Sequence, residues 1–343
     1  MLSGTMSAPT VAAGPILALD LGASRIRAGV VTPGGDVIAR SDGRTPGEAG
    51  PDAVVEACRA QLESVRDGLP PATRAGIGAI AISAPGPLDP RSGTLIDPPN
   101  IGPDFRDAPL AAPLARAFDL PIVIERDTNV AALGEMTYGA ARGVRDFLYL
   151  TVSTGIGGSI VADGEVYGGA DGLAGEIGHV SVALDWPPCG CGGAGHLEAA
   201  SSGSGIVRQA LLAVDDGSAP SLAALVERVG RANIAARHIA QAEDAGDDAA
   251  VRIMAFARRA FAVAMVGLVD VFNPELIVVG GSLGVAQGNR LLEPARREVA
   301  RVAFRAAGAR VRIVQAALGD DVGLLGGQPL FGRYASRAIK PGP

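Results

Sequence analysis

One pattern occurs twice in this chain, and it constrains the fold more than any other feature. Residues 17–39 read LALDLGASRIRAGVVTPGGDVIA, and residues 148–169 read LYLTVSTGIGGSIVADGEVYGG. Each runs strand, small-residue turn, strand, Gly/Asp turn, strand. The two copies start about 130 residues apart, which marks an internal repeat. Two similar α/β halves, each opening with such a meander, imply two lobes with a cleft between them. The rest of the pattern fits. Strands are expected at 16–22, 26–31, 36–40, 77–84, 121–126, 146–153, 158–162, 275–280 and 311–316, from short apolar runs bounded by turn residues. Helices are expected at 52–68, 108–119, 128–138, 196–213, 247–272, 290–306 and 321–335. Asp127 falls at the N-cap position of the helix over 128–138. The domain reading is a loose extension over 1–14, a smaller lobe over 15–126 and a larger lobe over 127–343, whose last helix packs back on the first lobe.

Phosphate chemistry is limited by a second feature. Of the 30 basic residues one is lysine, Lys340, and the others are arginines. A P-loop, a protein-kinase strand lysine and a pyridoxal Schiff base all need a lysine that this chain does not supply. The net charge of −6 argues against a nucleic-acid surface. No apolar run approaches ~18 residues, so no membrane span is expected. The first residues carry no basic segment of a signal peptide, and a cytoplasmic protein is expected.

The rare soft ligands are concentrated. Of three histidines and three cysteines, His179, Cys189, Cys191 and His196 lie within residues 179–196, and only Cys58 and His238 lie outside. Two thiols and two imidazoles suit a tetrahedral zinc ion. With four protein ligands the site would be closed, hence structural. The alternative is two buried thiols and two unrelated histidines.

Two small-residue loops occupy matched places in the repeat, Asp20-Leu21-Gly22-Ala23-Ser24 and Ser153-Thr154-Gly155-Ile156-Gly157-Gly158. Loops of this kind let backbone N–H groups and a hydroxyl approach phosphate oxygens. Asp20 would repel phosphate unless a cation lay between them, so it is a candidate ligand of Mg²⁺ or its waters. Gly280 and Gly281, at a strand end, offer space for a nucleotide base or ribose. The alternative is that these glycines serve turns alone.

Taken together, DLGASRIRAGV, SAPGPLD, ERDTNVAALGE, STGIGGSI, GLAGEIGHVSV, CGCGGAGHLEA and NPELIVVGGSLG resemble the motifs of the ROK family over about residues 15–335. The resemblance implies two ribonuclease-H-like lobes of the actin-like ATPase fold and transfer of the ATP γ-phosphoryl group to a sugar hydroxyl, with glucose the default acceptor. It implies Asp127 as catalytic base, Gly86, Asn100, Arg126, Glu176, His179 and Glu198 around the sugar, and Asp20, Gly22, Ser24, Arg25, Thr154, Gly155, Gly157, Gly280 and Gly281 around ATP and Mg²⁺. Zn²⁺ would be held by His179, Cys189, Cys191 and His196, with His179 bridging metal and sugar. Homodimers or tetramers are common in the family. The sequence departs from the family pattern at three places. D-x-G-G-T-K reads Asp20-Leu21-Gly22-Ala23-Ser24-Arg25, G-C-x-E reads Gly195-His196-Leu197-Glu198, and E-N-D-A-N reads Glu125-Arg126-Asp127-Thr128-Asn129. Arg126 is longer than the usual Asn and only a donor, which suits a different hydroxyl or an anionic group, or a turn away from the sugar to pair with Glu125, and its charge would weaken Asp127 as a base. An N-acetylhexosamine kinase and a sugar-binding protein without turnover are the neighbouring readings. A sugar-sensing repressor of the family would carry a DNA-binding segment before Asp20, where this sequence has 19 residues without Lys or Arg.

Overall fold

The computed structural model describes residues 11–98, 100–102 and 105–342. Most of the expected extension over 1–14 therefore lies outside the described residues. The chain begins with β1 (Ile16–Leu21), β2 (Arg25–Val31) and β3 (Val37–Arg44), then α1 (Pro51–Asp67), α2 (Pro71–Ala75) and β4 (Ile80–Ala84). A small sheet of β5 (Leu88–Asp89), β6 (Thr94–Leu95) and β7 (Ala108–Pro109) precedes α3 (Ala111–Phe118), β8 (Ile122–Arg126) and α4 (Asp127–Tyr138). The meander returns as β9 (Phe147–Val152), β10 (Ile156–Ala162) and β11 (Glu165–Val166). Helices α5 (Leu197–Ser201), α6 (Gly203–Asp215), α7 (Pro220–Val229), α8 (Ala236–Asp244) and α9 (Asp248–Phe272) follow. The chain closes with β12 (Leu276–Gly280), α10 (Ser282–Gln287), α11 (Asn289–Val302), α12 (Arg305–Gly308), β13 (Arg312–Gln315), α13 (Val322–Leu325) and α14 (Gly327–Tyr334).

Two compact units result. The first comprises residues 1–143, 169–173 and 317–343, and the second 144–168 and 174–316. In the first unit the strand order is β3-β2-β1-β4-β8, and in the second it is β11-β10-β9-β12-β13. The orders are the same, and in both sheets the meander is antiparallel and the last two strands join parallel. The repeated sequence pattern thus encodes a repeated sheet. The central strands β4 and β12 are buried along their whole length, as expected for parallel strands covered on both faces. The edge strand β3 alternates half-buried and exposed residues.

In the first unit α1 buries Val54, Cys58, Leu62 and Val65, a stripe at helical spacing. They join Leu17, Leu19, Ile80, Ile82 and Ile124 in an aliphatic core. Helices α13 and α14 pack on β1, β4, β8 and α4. In the second unit α9 packs against α5, α6, α8 and α11. Its N-terminal half shares a core with α6, α7 and α8, and its C-terminal half one with the sheet and α11.

Several elements differ from the sequence reading. The helix expected over 196–213 is two helices, broken at Ser202, whose extended backbone lets its hydroxyl accept from Gly205 N–H and cap α6. The helix over 290–306 breaks at the extended residue Ala303. That over 108–119 begins at Ala111, after β7. Helix α4 sits in the first unit, whereas the sequence reading began the second lobe at residue 127. Buried from Thr128 through Thr137, it packs on α13 and α14. Asp127 is the first helical residue rather than the cap. Arg126 takes the extended cap position, without a side-chain cap bond. Among the described residues, no helix is long and apolar enough to cross a membrane.

Candidate functional site

In the first unit the candidate groups gather at the carboxyl ends of β1, β4 and β8. Asp20 is the fifth residue of β1, paired across the sheet with Arg27 of β2 and Ser83 of β4. The register explains the contacts. Ser83 hydroxyl donates to Asp20 Oδ1 at 2.9 Å, and Arg27 forms an ion pair with Oδ2 at 3.3 Å. Burial pushes the Asp20 carboxyl above the usual carboxylate range, opposed by Arg27 and the Ser83 hydrogen bond. Gly323 of α13 lies so close that a Cβ there would sit 2.5 Å from Asp20 Cγ. The β1–β2 turn is held by Gly22 N–H donating to Arg25 carbonyl at 2.8 Å and by Thr45 hydroxyl donating to Gly22 carbonyl at 2.7 Å. Ser24 is exposed at its tip. Arg25 is exposed too and pairs with Asp42 at 3.1 Å, so its guanidinium already has an anionic partner.

Asp127 opens α4 directly after β8. It is exposed, although Arg126 before it and Thr128 after it are buried. Its Oδ1 accepts from Thr128 N–H at 2.7 Å, which fixes the carboxylate at the helix start. Glu125 is engaged beside it, accepting from Arg126 N–H at 2.9 Å and from Asn129 Nδ2 at 3.1 Å. The Arg126 side chain is buried and its stem crosses Gly86, where a Cβ would lie 2.9 Å from Arg126 Cδ. A side chain at Gly86 would therefore require the Arg126 stem to shift. Asn100 is exposed in the turn between β6 and β7.

In the second unit the loop between β9 and β10 is docked on the start of α6. Gly203 N–H donates to Ser153 carbonyl at 2.8 Å and Ser204 N–H to Thr154 carbonyl at 3.0 Å. Glu198 of α5 lies against the same loop, its Oε2 accepting from Ile156 N–H at 2.9 Å. A Cβ at Gly155 would stand 2.6 Å from that oxygen, so the loop glycine serves the approach of Glu198. Gly157 continues the chain into β10. Gly280 ends β12, and Gly281 turns the chain into α10 with φ of +82°. Its ideal Cβ would meet Val152 carbonyl at 2.4 Å. Only glycine tolerates both the dihedral and the contact. The segments around Ser153 and Gly281 are thus neighbours, with Ser153 and Ser282 hydroxyls 3.4 Å apart.

His179, Cys189, Cys191 and His196 converge, one donor atom from each lying within 4.8 Å of the others. His179 Nδ1 and His196 Nδ1 are 3.4 Å apart, and Cys191 Sγ is 3.3 Å from His196 Nδ1. A tetrahedral ion with bonds of about 2.1 Å to nitrogen and about 2.3 Å to sulfur has edges of about 3.4 Å between nitrogens and about 3.6 Å from nitrogen to sulfur, close to these spacings. The wrapping is done by backbone. Cys189 N–H donates to Gly193 carbonyl, and Gly192 and Gly195 take φ of +91° and +69°. A Cβ at Gly195 would lie 2.0 Å from Ala183 carbonyl. Glu176, exposed, precedes the 3₁₀ turn that carries His179.

Each unit thus assembles its own share of the expected residues. In the first Arg126 adjoins both Gly86 and Asp127, and in the second the loop 153–158 adjoins both Glu198 and Gly281. Arg27 and Ser83, which hold Asp20, were missed by sequence reasoning. A signal was present for Arg27, since Arg25 and Arg27 alternate on one face of β2. Ser83 became visible only through the register of β4 against β1.

Residues 16–333 match the ROK family. The chain is 34% identical over 312 residues to a glucokinase of Halalkalibacterium halodurans, covering 90% of this chain and 92% of that protein. Its structure is similar to that of a ROK hexokinase from Thermus thermophilus, with a TM-score of 0.74 and 33% identity over 92% of this chain and 97% of that one. It is also similar to a ROK family glucokinase from Streptomyces griseus in complex with glucose and AMPPNP, with a TM-score of 0.75 and 31% identity over 92% of this chain and 99% of that one.

Proposed function

The chain belongs to the ROK family and is a sugar kinase of actin-like ATPase fold, and we propose that it transfers the γ-phosphoryl group of ATP to a hexose hydroxyl, the 6-hydroxyl of glucose first among them. The observation that carries the chemistry is the exposed carboxylate of Asp127 at the head of an otherwise buried helix. A sugar hydroxyl is a poor nucleophile. A carboxylate within hydrogen-bond reach takes its proton as the bond to phosphorus forms. Thr128 N–H orients Asp127 for this role.

Phosphate is met without lysine. Backbone N–H groups of the 20–24 and 153–158 loops and the Ser24 and Thr154 hydroxyls supply the donors, with Gly22, Gly155 and Gly157 giving access and Gly280 and Gly281 opening space for the nucleoside. Arg25 is already paired with Asp42, so in our reading it acts on phosphate only by exchanging that partner. Asp20 would hold Mg²⁺ or its waters, which when bound offset charge on the phosphates. Its raised pKa fits a carboxylate built for a cation that supplies the missing charge. His179, Cys189, Cys191 and His196 would hold zinc, whose place here is structural because four protein donors fill a tetrahedron. With Nδ1 turned to the cluster, His179 keeps Nε2 for a sugar hydroxyl. Glu176, Asn100, Gly86 and Arg126 complete the sugar contacts in this reading. Glu198 gives one oxygen to Ile156 N–H, so its sugar contact is made by the other.

One observation favours a second acceptor. Buried Arg126 stands where the family has Asn, and a guanidinium presents donors only. Arg126 is already engaged within the chain, so in this reading a hexose with an acceptor-rich or anionic substituent answers it better than glucose by sharing or exchanging that contact. A coupled ATP-consumption assay over glucose, mannose, N-acetylhexosamines and acidic sugars decides between them. Sugar binding without turnover on any of them would sink the kinase reading.

A further inference from the structure

We infer that Glu135 is a positioning residue for phosphoryl transfer, fastening the chain where it leaves the first unit to the chain where it returns. The inference rests on the kinase reading for its kinetic consequences but not for its geometry. Glu135 lies near the C-terminal end of α4 and is fully buried. A buried carboxylate is costly unless it is fully hydrogen-bonded, and this one is held by backbone. Its Oε2 accepts from Ala140 N–H at 2.7 Å, and its Oε1 accepts from Ala317 N–H at 2.9 Å and Leu318 N–H at 3.0 Å. Its own carbonyl takes two further N–H groups, from Gly139 at 3.1 Å and Ala141 at 3.0 Å.

The places of these donors in the chain give the arrangement its meaning. Residues 139–141 lie just before Gly143, where the first unit ends and the chain departs. After a brief return over residues 169–173, Ala317 is the first residue of the last returning segment. One carboxylate therefore holds the first departure and the last return. Gly139 is fitted to it, since a Cβ there would fall 2.0 Å from Glu135 Oε2.

The segment that Glu135 grips on the return side leads straight to the phosphate-loop carboxylate. Asp320 carbonyl accepts from Arg27 Nη1 at 2.6 Å, and Arg27 pairs with Asp20. Asp321 accepts from Arg40 at 2.9 Å. Gly323 then rests against Asp20. At the other end of α4 stands Asp127. Glu135 thus joins the element that carries the proposed base to the element that abuts Asp20. A misplacement of about 1 Å between reacting groups costs on the order of 100-fold in rate, so this fastening bears on turnover more than on sugar binding.

Glu135→Gln tests it, because the amide is isosteric but must turn an NH₂ toward at least one of the three N–H donors. Gly139→Ala is the second variant, as it displaces the carboxylate while keeping its charge. In both, kcat should fall by about tenfold or more while KM for the sugar stays within about twofold, a split that general destabilisation does not produce. Hydrogen exchange should show lost protection in segments 139–142 and 316–319 together. A folded Glu135→Gln protein with kcat within about twofold of the parent overturns the assignment, and so does a rise in KM at constant kcat. If the parent turns over no sugar, the kinase reading fails by itself and exchange decides on the fastening. Unchanged protection of both segments in either variant overturns it.

Discussion

Burial disfavours a charge on Asp20, and that fixes the sign of its effect on stability. Its folded pKa is raised, so the stability it contributes is present below the ordinary carboxylate value of 3.8 and is lost as pH rises through the folded value. Above that value an ionised Asp20 costs stability, a cost that the cation proposed to bind there would offset. Asp20→Asn should therefore raise Tm at pH 7 and abolish nucleotide turnover, with the Tm gain shrinking toward pH 4. A Tm loss at pH 7, or a gain that persists in acid, would contradict the burial argument. Asp127 is the converse case, exposed and aimed outward. Asp127→Asn should lower kcat by about 10²–10⁴, the usual worth of a general base, and leave sugar affinity by calorimetry within a few-fold. Retained turnover would remove Asp127 as the base. Both carboxylates were legible in the sequence as motif residues. Their different environments were not, because they depend on the register of β1 against β2 and β4 and on a helix start.

At the scale of elements, loops show what sequence carries and what it does not. The glycines of 153–158 and 280–281 are visible as turn formers, but their exact demand comes from partners far along the chain. Gly155 makes room for Glu198, and Gly281 makes room for Val152. Gly281→Ala combines a left-handed φ with a backbone clash and should cost on the order of 2–3 kcal/mol, read as a lower denaturation midpoint. A midpoint unchanged within error would show that the turn relaxes freely. The convergence of His179, Cys189, Cys191 and His196 was legible from clustering alone, since few other residues of those types exist to confuse it. Its prediction concerns thiols. With metal bound, Cys189 and Cys191 should resist a thiol reagent at pH 8, and a strong chelator should release both and lower Tm. Cys58 should stay silent in either state, because burial pushes its thiol up to about 12. If Cys191, exposed in the loop, reacts at the same rate before and after chelation, the four donors hold no ion. Helices α7 and α8 escaped the sequence reading for a different reason. Each is short, and α8 buries only Ile239, so neither carries a long apolar stripe.

For the whole molecule, the repeat was the most informative line of text. It foretold two meanders, and the folded chain shows two five-stranded sheets with one strand order. The boundary of the units was not legible, because α4 has no sequence mark tying it to helices that come almost 200 residues later (α13 and α14). The basic residues bear on function at this same scale. Nothing near Asp20, Ser24, Thr154 or Gly281 is a lysine, and Lys340 is exposed near the C-terminus. In a lysine-dependent phosphotransferase, acylation of amines removes the group that meets the phosphates. Here only Lys340 and the terminal amine are open to it, and neither belongs to the proposed machinery. Complete acylation, checked by intact mass, should leave kcat and KM for ATP within about twofold. An arginine-directed dicarbonyl should instead lower activity, since Arg27 holds Asp20 and Arg126 adjoins Asp127. Loss of turnover on acylation would mean that the single lysine meets phosphate after all, and backbone donors with a cation at Asp20 would no longer account for how the chain binds its nucleotide.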